Sequence, residues 1–288
     1  MKKNPNQPQE KTCACPGADC ATRYPLLMLH GIGYQDTEAC SYWGSIPALL
    51  RARGARVYFG HQSACGSIEE NARFLQKRIE AILEHSQKEK VHILAHSKGG
   101  LEARFLISSL GMGAKVASLT TFSTPHFGSL SMNWLLRSHP LIMKAVAFLF
   151  FFHGKRLGDK HPAPGPFFHQ VTPKAMARFN RENPDDPRVL YQSVAASMNR
   201  GLSHLRFAFF HRIILGIEGE NDGLVAAWSA GWGRTLGVLR ARDAKGVSHV
   251  QMTGRYRKSL PVFLDETPFD DLSQLYLWLV RDLKEKGL

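Results

Sequence analysis

The sequence predicts an α/β fold in which a mostly parallel central sheet is flanked by helices. Short apolar, β-branched segments alternate with longer segments of helical periodicity, the pattern of a parallel sheet with right-handed crossovers. One strand-like segment, residues 91–96, passes into a helix through a sharp turn that contains Ser97 and two glycines. The length of 288 residues suffices for one large α/β domain or two small ones.

The individual elements follow from apolar periodicity and from the turn residues between them. Ser67 and Glu70 occupy the two positions of a capping box, which fixes the start of one long helix. The predicted elements, in order, are a strand and glycine-rich loop over 24–33, a helix over 43–53, a strand over 55–59, helices over 67–85 and 101–106 on either side of the 91–96 strand, strands over 115–122, 189–196, 213–217 and 235–241, and a helix over 272–286.

The region of about 129–211 interrupts this alternation. It contains the apolar run 141–152, which is too short to span a bilayer and is interrupted by Lys144. Two interpretations compete: a helix of the core, or a helix in a lid that covers an apolar groove and meets a lipid surface. The position of the run, shortly after the loop 123–129, favours the helical lid insertion.

The turn at Ser97 has the features of a nucleophile elbow. A strand precedes the serine, a helix follows it, and small residues, Ala95 and Gly99, stand two positions away on each side. Small residues are needed there because the serine backbone is strained and the strand and helix pass close together. The alternative is an ordinary turn between a buried strand and a helix. The partners described next favour the elbow.

A serine needs a base to take its proton, and the base needs an acid to orient it. In α/β elbows the partners follow in the order serine, acid, histidine. Asp222 lies in a loop that we expect to follow a strand, and His249 lies in the loop after the last strand. We therefore predict Ser97 as nucleophile, Asp222 as acid and His249 as base, with Glu220 and Asp243 as the alternative acids.

An oxyanion formed at Ser97 requires two backbone N–H donors. The sequence predicts Lys98, the residue after the nucleophile, and Ile32, in the loop after the first core strand. Three further histidines fall near the site in sequence, and we interpret them as hydrogen-bonding groups that shape loops rather than as bases: His30, His96 and His126.

Charge and composition limit the classes of partner. With 44% hydrophobic and 21% charged residues the composition is that of an ordinary globular protein. The formal net charge of +13 favours anionic partners, either nucleic acid or an anionic lipid surface. The basic residues are scattered and are not interleaved with aromatic residues, so we expect no nucleic acid.

Residues 1–22 are polar, and we interpret them as a flexible N-terminal arm. They have no apolar core that would mark a secretory signal peptide, so we expect a cytoplasmic location. The arm carries Cys13, Cys15 and Cys20, whose spacing is not that of a common zinc site and which have no evident fourth ligand. We expect free thiols there.

Cys40 and Cys65 fall in the folded part of the chain. They could form a disulfide, but without an export signal two separate thiols are at least as well supported.

In these motifs the chain resembles the bacterial triacylglycerol lipases of the α/β-hydrolase superfamily. The similarity covers most of the chain from Tyr24 onward. The matching motifs are LHGI at 29–32, WGSIP at 43–47, GARVY at 54–58, AHSKGGL at 95–101, STPHFGS at 123–129, FN at 179–180, PD at 184–185, YQS at 191–193, NDGLV at 221–225 and SH at 248–249.

The resemblance implies an α/β-hydrolase fold over residues 23–288 and hydrolysis of carboxylic esters by an acyl-enzyme, without a cofactor. It implies a lipid or other acyl-ester substrate and transient contact with a lipid–water interface. The calcium-dependent members carry an aspartate two residues after the catalytic histidine, where this chain has Gln251, and the other ligand position falls near Arg200. We therefore expect no metal at that site. Lys98 also replaces the more usual Gln or Met beside the nucleophile.

Other functions remain compatible with the same residues. An acyltransferase or a polyester depolymerase would use the same three side chains with a different acceptor or substrate. A non-catalytic binding protein could retain the fold without the activity, because fold does not imply function. The ordered set of serine, acid and histidine favours an enzyme over the binding protein.

Overall fold

The strands form one eight-stranded sheet in the order β2-β1-β3-β4-β5-β6-β7-β8. The computed structural model describes residues 18–36, 42–199, 204–241, 246–255 and 261–288. The first six strands in this order are parallel, and β7 and β8 add an antiparallel hairpin at one edge. The strands are β1 (Leu26–Leu29), β2 (Val57–Phe59), β3 (Val91–His96), β4 (Val116–Phe122), β5 (Leu190–Ala196), β6 (Arg234–Ala241), β7 (Val262–Leu264) and β8 (Thr267–Phe269).

Helices cover both faces of this sheet. They are α1 (Ile46–Ala52), α2 (Ile68–Ser86), α3 (Lys98–Ser108), α4 (Leu130–Ser138), α5 (Pro140–Arg156), α6 (Pro164–Gln170), α7 (Pro173–Glu182), α8 (Leu205–Ile217) and α9 (Leu272–Glu285). The predicted α/β fold with a mostly parallel sheet is therefore confirmed.

Two apolar cores hold the helices on the sheet. Alternate residues of β1 point to opposite faces: Leu26 and Met28 pack toward α1 and α9, whereas Leu27 and Leu29 pack toward α2 and α3. All residues of β1, β3 and β4 are buried, as expected for central parallel strands with helices on both sides. The predicted capping box at the start of α2 is present, with Ser67 and Glu70 bonded to each other's backbone N–H groups.

One prediction of secondary structure is wrong, and one pair of strands was missed. Residues 213–217 form the end of α8 rather than a strand. A short apolar, β-branched run does not distinguish a strand from one face of a helix, and here the periodicity extends back to Leu205. The β7–β8 hairpin was not predicted, because strands of three residues are too short to show an alternating pattern.

The region of about 129–211 is divided by a strand of the sheet. Helices α4 to α7 lie between β4 and β5, and α8 follows β5. Within this region α5 is not a core helix, since only Met143 and Gly154 are buried and Leu141 is 78% exposed. Among the described residues no single helix is long and apolar enough to cross a membrane. The pair α4 and α5, which meet at 109°, reaches that length and composition only when taken together.

The end of the predicted N-terminal arm is packed against the domain. Cys20 is fully buried, and its N–H donates to the carbonyl of Arg53 at 2.9 Å. Asp19 forms ion pairs with Arg53 and Arg281. These contacts attach the last residues of the predicted arm to the domain.

Among the described residues, Cys20 and Cys65 carry free thiols. Cys20 and Cys65 are both buried, and burial raises the pKa of each thiol to about 11. Cys13, Cys15 and Cys40 lie outside the described residues.

Candidate active site

Ser97 lies in a strained turn between β3 and α3. Its backbone has φ 54° and ψ −127°, a conformation that non-glycine residues adopt only when the surroundings enforce it. The chain is crowded immediately after this serine: a Cβ on Gly99 would lie 2.7 Å from the carbonyl oxygen of His30, and one on Gly100 would collide with the side chain of Thr124. A small residue is therefore required by space at Gly99, as the sequence suggested.

Asp222 and His249 are in direct contact. His249 Nδ1 donates to Asp222 Oδ2 at 2.7 Å, and both side chains are buried. The other carboxylate oxygen accepts N–H bonds from Leu224 at 2.9 Å and Val225 at 2.8 Å. Because the Asp222 carbonyl also accepts the N–H of His249 at 2.8 Å, the two loops are fixed by backbone as well as side-chain bonds. This arrangement leaves Nε2 of His249 as the nitrogen able to accept a proton.

Ser97 and His249 line the same two cavities. The larger has a volume of 630 Å³ and is bordered by the loop after β1, by α5 and by the start of α8. The smaller, 210 Å³, is enclosed by apolar side chains of α4, α5, α6 and α8. The residues shared by both cavities are Ile32, Ser97, Phe150, Phe207, Leu224 and His249. The nucleophile candidate thus lies where a polar-rimmed cleft meets an apolar pocket.

The two predicted oxyanion donors, Ile32 and Lys98, belong to different segments beside Ser97. Ile32 lines both cavities from the loop after β1. Lys98 is the first residue of α3, where backbone N–H groups have no partner within the helix and the positive end of the helix dipole lies. Its ammonium group is buried in an ion pair with Glu102 and lies 5.7 Å from the ring centre of Phe167. Only the backbone of Lys98 is therefore available to an oxyanion.

A tyrosine–histidine pair, whose tyrosine sequence reasoning missed, supports the loop of His249. The Tyr42 hydroxyl donates to His96 Nδ1 at 2.6 Å, and His96 Nε2 donates to the carbonyl of His249 at 3.0 Å. Burial, together with the neighbouring His249, holds the pKa of His96 well below its usual range, so its ring is neutral and suited to these two bonds. The pair fixes the backbone of His249. No local sequence pattern indicates Tyr42, because its partner His96 lies 54 positions further along the chain.

The other two neighbouring histidines hold loops in place. His30 is buried, with Nε2 3.0 Å from the carbonyl oxygen of Gln62. His126 is buried beside Thr121, whose hydroxyl lies 3.0 Å from Nε2, and burial lowers the pKa of His126 well below its usual range. Neither contacts Asp222 or His249 in any bond that the described residues make. These contacts agree with the loop-shaping role predicted for His30, His96 and His126.

The alternative acids are not in the cluster. Glu220 forms a two-pronged ion pair with Arg240, with both bonds at 2.8 Å, and this pairing lowers the pKa of the carboxyl. Asp243 lies outside the described residues, as does Arg200. Gln251 accepts the Ser248 N–H at 2.8 Å, so its amide closes the histidine loop instead of standing free. In the described part of the chain, no three His, Cys, Asp or Glu side chains are arranged to hold a metal ion.

Known proteins share sequence features with most of this chain. The family model described as alpha/beta hydrolase fold matches residues 24–277. The chain is 27% identical over 263 residues to triacylglycerol lipase 2 of Saccharomyces cerevisiae, covering 88% of this chain and 76% of that protein. It is 36% identical over 115 residues to a triacylglycerol lipase of Pseudarthrobacter phenanthrenivorans, covering 38% of this chain and 35% of the other.

A solved structure extends the likeness to the fold. The mature form of the Bacillus licheniformis lipase BlEst2 superposes with a TM-score of 0.65 at 20% identity, covering 87% of this chain and 94% of that one. The resemblance to the triacylglycerol lipases inferred from the motifs is confirmed. Because the family match extends over most of its length, the chain belongs to the alpha/beta hydrolase fold family.

Proposed function

We propose that this protein is a serine carboxylic ester hydrolase that acts on the acyl esters of lipids, with Ser97 as nucleophile, His249 as base and Asp222 as acid. The observation that carries the proposal is the bond of 2.7 Å between His249 and Asp222 beside a strained serine that opens onto an apolar pocket. Family membership and the similarity to triacylglycerol lipases support ester hydrolysis independently.

The reaction follows from the protonation states that these contacts favour. His249 Nε2 takes the proton of the Ser97 hydroxyl as the oxygen attacks the ester carbonyl, and Asp222 stabilises the imidazolium that results. The backbone N–H groups of Ile32 and Lys98 hold the oxyanion at the N-terminus of α3. His249 then returns the proton to the departing alcohol. Water, activated by the same histidine, releases the acyl group from Ser97.

The two cavities suit the two halves of an ester. We assign the apolar 210 Å³ pocket to the acyl chain, because its lining is almost wholly aliphatic and aromatic. The 630 Å³ cleft, which includes His153, His204 and Arg255, would receive the alcohol part. The helices α4, α5 and α8 form the walls of the apolar pocket. We propose that the segments on either side of β5 act together as the predicted lid and meet a lipid–water interface.

The test is hydrolysis of p-nitrophenyl esters from acetyl to palmitoyl, with Ser97→Ala beside the wild type. We expect activity on longer chains that is lost in Ser97→Ala. Activity on short chains alone would retain the mechanism and make the protein an esterase of small substrates. A folded wild type that hydrolyses no ester and is not labelled by a fluorophosphonate would contradict the proposal in favour of a binding protein.

A further inference from the structure

Three helices of the molecule are apolar on both sides. The inward sides of α4, α5 and α8 line the 210 Å³ pocket. Their outward sides, which we name the cap face, expose large apolar groups: Trp134, Leu141, Phe148, Phe152, Leu205 and Phe209. Helices with two apolar sides normally lie inside a core or in lipid, and apolar surface of this extent marks a site of interaction.

The charge on the same helices has one sign. They carry six basic residues and none of the chain's 24 acidic residues: Arg137, Lys144, Lys155, Arg156, Arg206 and Arg212. All six side chains are exposed. The nearest carboxylate in sequence, Glu218, is turned away into bonds with the Ser129 hydroxyl at 2.9 Å and the Ser131 N–H at 2.8 Å. The cap face is therefore apolar and cationic together.

We propose that the cap face docks onto an anionic lipid surface. The proposal deepens the function proposed above, on which it rests, by naming the kind of surface from which the ester is drawn. Apolar groups of α5 and α8 would enter the boundary between headgroups and acyl chains, while Lys144 and Arg212 would stay among the anionic headgroups. Since these helices also form the pocket walls, docking would place the acyl pocket beside the lipid.

The charge favours lipid over a second copy of the chain. A symmetric dimer brings the same surface of both subunits together, so contact through the cap face would oppose six cations with six cations. Like charges in such an interface repel, and the three helices supply no carboxylate to offset them. An anionic bilayer supplies both the opposite charge and an apolar layer.

Binding can be measured apart from catalysis by using Ser97→Ala protein, which leaves the lipid intact. We expect it to co-sediment with vesicles of phosphatidylcholine mixed with phosphatidylglycerol and to bind vesicles of phosphatidylcholine alone at least about tenfold more weakly. Binding should weaken as NaCl rises from about 0.01 M to about 1 M, because the screening length falls from about 30 Å to about 3 Å.

A matched pair of double variants locates the surface. Lys144→Gln with Arg212→Gln should weaken binding to the mixed vesicles by about 10-fold to 30-fold. Arg73→Gln with Lys77→Gln removes the same charge from exposed positions of α2 and should change binding less than about twofold. The same two double variants are also made in protein that retains Ser97. Both should then hydrolyse a soluble short-chain ester at the wild-type rate, which would show that they are folded.

Equal binding to both vesicles, or equal losses in both double variants, would overturn the proposal. A wild type that is dimeric in solution and binds no vesicle would overturn it in favour of self-association. These outcomes are distinct from failure of the proposed function, because vesicle binding by Ser97→Ala protein does not require hydrolysis of any ester.

Discussion

The elbow and the cap face are held in place by opposite means. Around Ser97 and His249 the chain is buried and fixed by short polar bonds, such as those of Asp222 and of the Tyr42–His96 pair. The cap helices are held mainly by apolar contacts to Phe167, Phe168 and their neighbours, with few polar bonds such as that of His153 Nε2 to the carbonyl of Gly33 at 2.9 Å, and they expose apolar side chains to solvent. Apolar contacts have no direction, so they permit rearrangement that a bonded network resists.

This difference fits the ester hydrolysis at a lipid surface that is proposed above. Reacting groups must be held in one geometry before the substrate arrives, whereas a cover must give way to admit it. A change in the elbow region should therefore lower activity or stability steeply, and a comparable change in the cap should do little to either on a soluble substrate.

The largest effect should come from Asp222→Asn. Loss of the orienting carboxylate in a serine–histidine–acid triad costs about 10⁴-fold in kcat. We expect a loss of that order on a soluble p-nitrophenyl ester. The matched control is Glu220→Gln, which removes an exposed carboxylate paired with Arg240 and should leave kcat within about twofold. A large loss with Glu220→Gln and a small one with Asp222→Asn would reverse the assignment of the acid.

The next comparison uses two glycines in contrasting surroundings. A Cβ at Gly99 would lie 2.7 Å from a backbone oxygen, so Gly99→Ala should lower the free energy of unfolding by about 1–3 kcal/mol and lower activity as well. Gly216, in α8, has no atom within 4 Å of the corresponding position, and Gly216→Ala should raise stability by about 0.4–1 kcal/mol. Urea titration measures both, and a neutral Gly99→Ala would mean that the elbow can relax.

Much of the elbow region could be predicted from sequence because its physical demands are local. The need for small residues at Ala95 and Gly99 shows in the motif, and the polar loops follow apolar strands in the expected order. The partners Asp222 and His249, 27 positions apart, were paired by chain order, and their contact supports that prediction. Tyr42 could not be found in this way, because its bond to His96 exists only once β1 and β3 are neighbours.

The cap was less predictable because apolar runs do not reveal their environment. Residues 213–217 were predicted as a strand and form part of α8. The run 141–152 was compatible with a core helix as well as with the lid helix that its position favoured. Within the predicted insertion, β5 belongs to the central sheet because it pairs with β4 and β6. Such pairing joins residues that are far apart in sequence. Local periodicity does not contain that information.

Acid should weaken the core through its buried histidines. His92, fully buried on β3, has a pKa lowered to about 4 by burial, whereas an exposed histidine has a pKa of 6.5. Between pH 6.5 and about 4 the imidazole of His92 binds a proton in the unfolded chain but not in the folded chain. This difference lowers the free energy of unfolding by about 1.4 kcal/mol per pH unit as the pH falls through that range. His92→Asn should reduce the pH dependence of the urea midpoint between pH 6.5 and 5. If the pH dependence is the same in His92→Asn and wild type, His92 binds its proton as readily in the folded chain as in the unfolded chain, which would contradict the prediction.

The smallest effect should come from the cap. Phe148 on α5 is 61% exposed, so Phe148→Ser removes little buried area and should change the free energy of unfolding by less than about 0.5 kcal/mol. Phe167→Ser is the matched change inside the apolar pocket, where the ring is buried and packs against α5 and α6 neighbours, and it should cost about 3–5 kcal/mol, as for removal of a buried aromatic ring. Thermal unfolding of the two variants measures the difference. A large loss of stability with Phe148→Ser would show that this ring is covered by another surface in solution. The cap would then be stabilised by burial, as the core is, and the contrast between the two regions would fail.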